Sequence, residues 1–317
     1  MALDPEVQRM LEMAAAAGRP PWQNVGPVAA RKEFRETRIV TGGPRPEGVV
    51  TRDTSIPGPG GPMAVRLYRP AAESPKALLP ALIYLHGGGW VIGDLDTHDS
   101  TAARLSLQAG IAVVSVDYRL APEHPFPAGF DDSVAALAWI GEQGEELGVD
   151  PHLLAIGGDS AGANLAAAAA LWARDRDMSN LRFQLLTYPV TECVTTSASY
   201  ARFAEGYGLS RAAMQWFIDL YVPNPADRWD WRAAPLRAAS LAGVCPALVI
   251  TAGFDPLRDE GRAYAARMRD DGATVDYVEF GGMIHGFFGS AALLHGARRG
   301  ISMAAAALRE ALVDRAE

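Results

Sequence analysis

Seven short apolar runs, at residues 64–68, 81–86, 112–117, 153–156, 183–188, 247–251 and 275–279, alternate with longer stretches of helical spacing. Runs of this length suit buried strands, and a chain that follows most strands with a helix must cross over before it pairs again. Crossovers of that kind are right-handed and lay successive strands parallel. The pattern therefore predicts an α/β fold, a mostly parallel, doubly wound central sheet with helices on both faces. Helices are expected at 99–108, 130–147, 161–173, 212–221, 259–271 and 292–315. The chain has 317 residues, 49% of them hydrophobic, enough to fill one large core.

Two stretches break the alternation. The first forty-odd residues carry Pro20, Pro21, Pro27, Pro44 and Pro46 around a short helical piece. Residues 191–235 carry Phe203, Tyr207, Trp216, Phe217, Tyr221, Trp229 and Trp231, an aromatic density that calls for something to cover. The expected organisation is an N-terminal cap segment at 1–45, a core at 46–190 and 236–317, and a second cap segment inserted at 191–235. An irregular excursion packed on its own sheet is the plainer alternative for the latter.

Composition removes several functions. The formal net charge of -8 repels phosphate backbones, so nucleic acid is not an expected partner. Residues 1–13 include Asp4, Glu6, Arg9 and Glu12 instead of a basic start and an apolar run, so a cytoplasmic protein is expected. The longest apolar stretch, 163–173, is about half of what a bilayer span needs, and no membrane association is expected. The only cysteines, Cys193 and Cys245, are expected to be buried thiols rather than a disulfide or a metal site.

At 154–164 the chain reads LAIGGDSAGAN, an apolar strand entering G-x-S-x-G and then an Ala-rich helix. A serine on so sharp a strand-to-helix turn needs small neighbours for close backbone packing, while its hydroxyl projects into open space. Ser160 is the candidate nucleophile, with the amide end of the following helix aimed at any anion formed there. Upstream, HGGGW at 86–90 follows another apolar strand. Three glycines without Cβ atoms expose backbone amides where a carbonyl oxygen could approach, which together with the Ala161 amide suits an oxyanion hole. Phosphate cradling is the weaker reading, because neither G-K-[ST] nor an opening G-x-G-x-x-G follows. His86, fixed at a strand end, is read as structural.

A serine needs a base, and the base an orienting acid. Residues 247–251 lead into Asp255, and 275–279 lead into His285, both at loops following strands. His285 is the only histidine that follows a candidate strand downstream of both the serine and the acid. His98, His124, His152 and His295 are read as surface or scaffold groups. Asp259 competes with Asp255 but suits the first turn of the next helix. Asp159 is read as a local hydrogen-bonding residue pointing away from the nucleophile. No H-x-x-x-H, H-E-x-x-H or paired cysteine spacing occurs, so no metal is expected.

HGGGW, DYRLAPEHPFPA at 117–128, GDSAG, DPLRDEG at 255–261 and HGF at 285–287, in that order, closely resemble the hormone-sensitive-lipase-like esterases. The resemblance runs from about residue 45 to the end, more loosely before it. It implies an α/β-hydrolase fold and a carboxylesterase acting on short to medium-chain esters of small molecules, without a cofactor. It matches Ser160, Asp255 and His285 to the family's triad and places the oxyanion donors on Gly88, Gly89 and Ala161, with a one-residue shift toward Gly87 left open. It also assigns Tyr118, Arg119 and Glu123 to holding loops. Ala163 departs from the glycine many members carry there. Trp90, Phe203 and Tyr207 are expected to line an apolar substrate pocket. An amidase, lactonase or deacetylase with the same triad is the alternative, and a non-catalytic receptor on this fold a more distant one. Met303, Leu308 and Leu312 near the C-terminus leave a homodimer open.

Overall fold

A computed structural model describes residues 2–314. Met1 and residues 315–317, which the expected domain ranges and the last expected helix include, lie outside the described residues. Eight strands form one sheet: β1 (Val49–Gly58), β2 (Gly61–Pro70), β3 (Leu79–Leu85), β4 (Ala112–Val116), β5 (Val149–Asp159), β6 (Leu181–Thr187), β7 (Ala247–Phe254) and β8 (Val275–Ile284). Their order is β1-β2-β4-β3-β5-β6-β7-β8. β3 to β8 are mutually parallel, and β2 alone runs against its neighbours β1 and β4. The expected mostly parallel α/β sheet is the one observed.

Each of the seven expected strands is present, and β1 is the addition. Its sequence, VVTRDTSIPG, is exposed or half-buried throughout except at Ile56, its one buried residue, so it has no apolar run to mark it. An edge strand of this kind is held by its ladder to β2, from Val49↔Pro70 to Gly58↔Gly61, rather than by burial.

The parallel strands send alternate side chains to two cores. From β3, Ala81, Ile83 and Leu85 join one core with the helices α4 (Ala128–Gln143), α5 (Ala161–Arg174) and α8 (Arg258–Asp270). Leu82 and Tyr84 join the other, with α3 (Asp99–Ala109) and α9 (His295–Arg309). Leu308 and Leu312 are fully buried in that second core, while Met303 remains partly exposed. Intrachain packing therefore takes up two of the three side chains on which a dimer stripe would depend.

The N-terminal residues hold more structure than a short helical piece. α1 (Pro5–Ala16) is capped by Asp4, whose carboxylate accepts the Glu6 amide, and the Asp4 amide donates to the Gly282 carbonyl on β8. α2 (Trp22–Gly42) breaks its helical geometry at Gly26, φ 80°, just before Pro27. The second excursion contributes α6 (Ala198–Arg202) and α7 (Arg211–Tyr221). α2 meets α7 where Trp22 lies 5.8 Å from Phe217, ring to ring, so the two irregular stretches touch above the carboxyl edge of the sheet. Among the described residues no helix is long and apolar enough to cross a membrane.

Candidate active site

β5 ends at Asp159 and α5 begins at Ala161, which leaves Ser160 alone on the turn with φ 57° and ψ −118°. A non-glycine residue rarely adopts this conformation, and it is held here by the Ser160 amide donating to Thr187 O at 2.9 Å. The turn sits so close to β3 that a Cβ on Gly162 would overlap the Leu85 carbonyl. The methyl of Ala163, by contrast, is buried without exposure in the core.

The structure brings Ser160, His285 and Asp255 into one hydrogen-bonded line. His285 Nε2 lies 2.9 Å from Ser160 Oγ, and His285 Nδ1 lies 2.8 Å from Asp255 Oδ2. With the Nδ1 tautomer the imidazole donates to the carboxylate and accepts from the serine hydroxyl. Asp255 is fully buried, and its other oxygen accepts the Leu257 amide at 2.8 Å. Asp259 goes elsewhere: it accepts the Ser199 amide and pairs with Arg258. The ring of Tyr188 packs 4.6 Å from that of His285.

Gly88 and Gly89 adopt φ 124° and 57°, and both line the cavity in front of Ser160. The neighbouring Gly87 amide is already engaged, donating to Asp159 Oδ1 at 3.0 Å. Asp159 thus does point away from the serine, yet its reach is longer than local. Its carboxylate also accepts from Tyr84 Oη at 2.9 Å and Tyr188 Oη at 3.4 Å, and lies 3.1 Å from His98 Nε2. Burial alone would raise its pKa; His98, Arg38 and Tyr84 outweigh burial and hold the carboxyl far below the usual range. His86 is fully buried, stacked on Tyr118 at 4.4 Å, with Nδ1 2.9 Å from Gly87 O. Burial, and then the nearby His98, press its pKa down to about 4.

The residues of DYRLAPEHPFPA hold the surrounding loops. Tyr118 Oη donates to His86 O at 2.7 Å, Arg119 grips Asp132, and Glu123 takes a two-pronged contact from Arg31 on α2.

A cavity of about 590 Å³ opens on Ser160, His285, Gly88 and Gly89. Its apolar wall comes from Met10 and Leu11 of α1, Trp22 and Phe34 of α2, and Met214 and Phe217 of α7. None of the three expected pocket residues is in that wall. Trp90 is fully buried behind the loop, stacked on Tyr221 at 4.4 Å, its indole N–H bonded to Asn164. Phe203 and Tyr207 pack on each other and on Phe254 at 5.3–5.6 Å, covering the end of β7 instead of the cavity. Aromatic density marks where apolar mass gathers, but not which way each ring turns. A wider open cleft, about 1110 Å³, lies at the other edge of the parallel strands around Asp150, Arg182 and Cys245, away from all these groups.

Sequence reading missed Arg38, Asn164 and Glu260. Asn164 is fully buried and its amide donates to Val190 O at 2.9 Å and Ala233 O at 2.8 Å. Glu260 accepts the Thr191 amide at 2.8 Å, and burial pushes its carboxyl well above the ordinary range. Both are polar residues inside helices, a detectable signal only when the helix face they occupy is known to be the buried one.

A strained serine between a parallel strand and a helix, with a histidine and a carboxylate from later strands, defines an α/β hydrolase. The model of the family described as alpha/beta hydrolase fold matches residues 82–289. The carboxylic ester hydrolase LipN of Mycobacterium tuberculosis is 41% identical over 288 residues, 89% of this chain and 76% of its own. The ethyl acetate hydrolase of Pseudomonas putida is 36% identical over 98% of this chain and all of its own. Among solved structures, LAE6, an α/β hydrolase from the metagenome of Lake Arreo, superposes with a TM-score of 0.93 at 43% identity, covering 97% of this chain and 98% of that one. The chain belongs to the α/β-hydrolase fold family and, within it, to the hormone-sensitive-lipase-like carboxylesterases. It is a carboxylic ester hydrolase.

Proposed function

We propose that Ser160, His285 and Asp255 are the catalytic triad of this esterase and that Gly88, Gly89 and Ala161 supply its oxyanion hole. The observation that carries the proposal is the unbroken line from Asp255 through His285 to Ser160, opening on the cavity. His285 takes the hydroxyl proton as Ser160 Oγ attacks the ester carbonyl, and Asp255 keeps the ring oriented and stabilises its cation. The carbonyl oxygen becomes an oxyanion facing the loop amides. Because Gly87 N–H is engaged by Asp159, the donors are assigned to Gly88 and Gly89, with Ala161 at the head of α5. Collapse of the tetrahedral species expels the alcohol, protonated by His285, and leaves an acyl-serine. Water, activated by the same histidine, then releases the acid.

Short to medium-chain esters are the proposed substrates. A cavity of about 590 Å³ with an apolar wall suits them, and similarity over the full chain to an ethyl acetate hydrolase supports the short end. Residues 2–45 and 191–235, which bring α1, α2 and α7 to the cavity, are proposed as the cap. A cytoplasmic location is part of the proposal, supported by Cys193 and Cys245 being unpaired thiols.

The test is turnover of a p-nitrophenyl ester series from two to sixteen carbons, with matched amides and lactones, in the native enzyme and in Ser160→Ala. Esters of short and medium length should turn over fastest, and S160A should lose activity by about a million-fold. Full turnover by S160A would overturn the assignment, and faster amide or lactone cleavage would replace the ester reading with one of those activities.

A further inference from the structure

Arg38 is an arginine on α2 with only 8% of its surface exposed, at the meeting point of three loops. Its Nη1 donates to the carbonyl of Gly286, the residue after His285, at 3.0 Å. Its Nη2 lies 3.9 Å from Asp159 Oδ2, and Asp159 both precedes Ser160 and holds the Gly87 amide of the HGGGW loop. The guanidinium lies over the Phe34 ring at 5.2 Å, which fixes its plane. It also passes so close to Gly289 that a methyl there would overlap Nη1. A long side chain packed this tightly has little freedom, and a planar fork with separated donors can serve two acceptors at once.

We propose that Arg38 is a positioning residue for ester hydrolysis: one guanidinium from the N-terminal segment holds the His285 loop and the Asp159–Gly87 anchor of the oxyanion loop in register around Ser160. Residues 2–45 then complete the reaction centre as well as covering it. Removing the guanidinium frees the Gly286 carbonyl and takes away the permanent positive charge beside Asp159, leaving the His98 imidazole 3.1 Å from its carboxylate. His285 and the loop amides lose their shared reference, while the apolar wall that binds substrate is left in place. A loss in kcat is expected, with little change in KM.

The inference rests on the esterase reading above, and the measurements separate the two. In Arg38→Met, kcat on a p-nitrophenyl ester should fall about 100-fold with KM altered less than about three-fold. Arg38→Lys should recover part of that loss, and millimolar methylguanidinium should restore turnover to Arg38→Ala. Arg35→Met removes an exposed contact to Asp94 and Asp96 from the same helix and should leave kcat unchanged. Should R38M fail to fold, Gly289→Ala displaces the guanidinium while keeping its charge, and the same kcat loss is expected. Unchanged kcat in folded R38M or G289A, or a loss confined to KM, overturns the inference while leaving Ser160-dependent turnover intact. Full turnover by S160A would sink the esterase assignment instead, whatever Arg38 does.

Discussion

The indole N–H of Trp90 donates to Asn164 Oδ1 at 3.2 Å, joining the loop after β3 to the first turn of α5. The same amide group donates to Val190, just before the second excursion, and to Ala233, near its end. One buried side chain therefore ties the HGGGW loop, the helix that follows Ser160 and both ends of the 191–235 excursion. Asn164→Leu strands the buried Trp90 indole donor and the Val190 carbonyl and leaves Ala233 O with only the weak Cys193 thiol donor, so it should cost about 3 kcal/mol in urea unfolding and lower kcat as well. A stability change within experimental error would show that these bonds are replaced by water.

The acid's identity can be read from paired variants. Asp255→Asn reverses the hydrogen-bonding preference at His285 Nδ1 and should lower kcat by about four orders of magnitude. Asp259→Asn, which affects the contacts to Ser199 and Arg258, should keep kcat within about two-fold and cost about 1 kcal/mol. Equal losses in the two variants would contradict the roles given to these carboxylates.

Chain-length preference should follow Phe217 rather than the buried aromatics. Phe217 stands against Gly89 and Trp22 in the cavity wall. Phe217→Ala should move the kcat/KM optimum toward longer acyl or alcohol groups, while lowering stability by about 3 kcal/mol. Phe203→Ala should destabilise by a similar amount, about 3 kcal/mol, with the optimum unmoved. A shift in preference with Phe203 and none with Phe217 would reverse this view of the pocket.

His86 sets an acid limit on stability. With its pKa near 4 in the folded protein and 6.5 as the ordinary value, the unfolded chain holds the extra proton between those values. Stability therefore falls as pH drops through that window, by about 2 kcal/mol from this one group on going from pH 7.5 to pH 5. Glu260, pushed up by burial, acts in the opposite direction, losing its contribution as pH rises, so the comparison must be made within a variant pair. The unfolding free energy of native protein minus that of His86→Asn should shrink by about 2 kcal/mol between those pH values. A constant difference would mean that His86 titrates alike in both states.

Local order was legible in the sequence wherever a short segment carries its own physical reason. Strands β3 to β7 announce themselves as apolar runs because both faces of the central sheet are buried, while β2 and the edge strand β8 are marked by apolar or aromatic residues at alternate positions. Ser160 and the glycines around it are visible because the turn admits no larger neighbours. His285 and Asp255 follow from being placed after strands in the order that a serine's base and acid require. Strand β1 escaped because an exposed edge has no apolar signature.

Direction and convergence came from packing. Whether Trp90, Phe203 and Phe217 face a cavity depends on how loops from distant parts of the chain pack, and identical aromatic side chains give opposite answers. That Arg38 reaches Gly286, 248 residues away, was likewise invisible. Periodicity reports a residue's own element, whereas such a contact exists only after the sheet and the helices from distant parts of the chain have come together. Local residue patterns specify seven of the eight strands, the tight turn at Ser160 and the order of its partners; the packed chain specifies which side chains share that serine's surroundings, because a hydrogen bond is set by distance and angle rather than by position along the backbone.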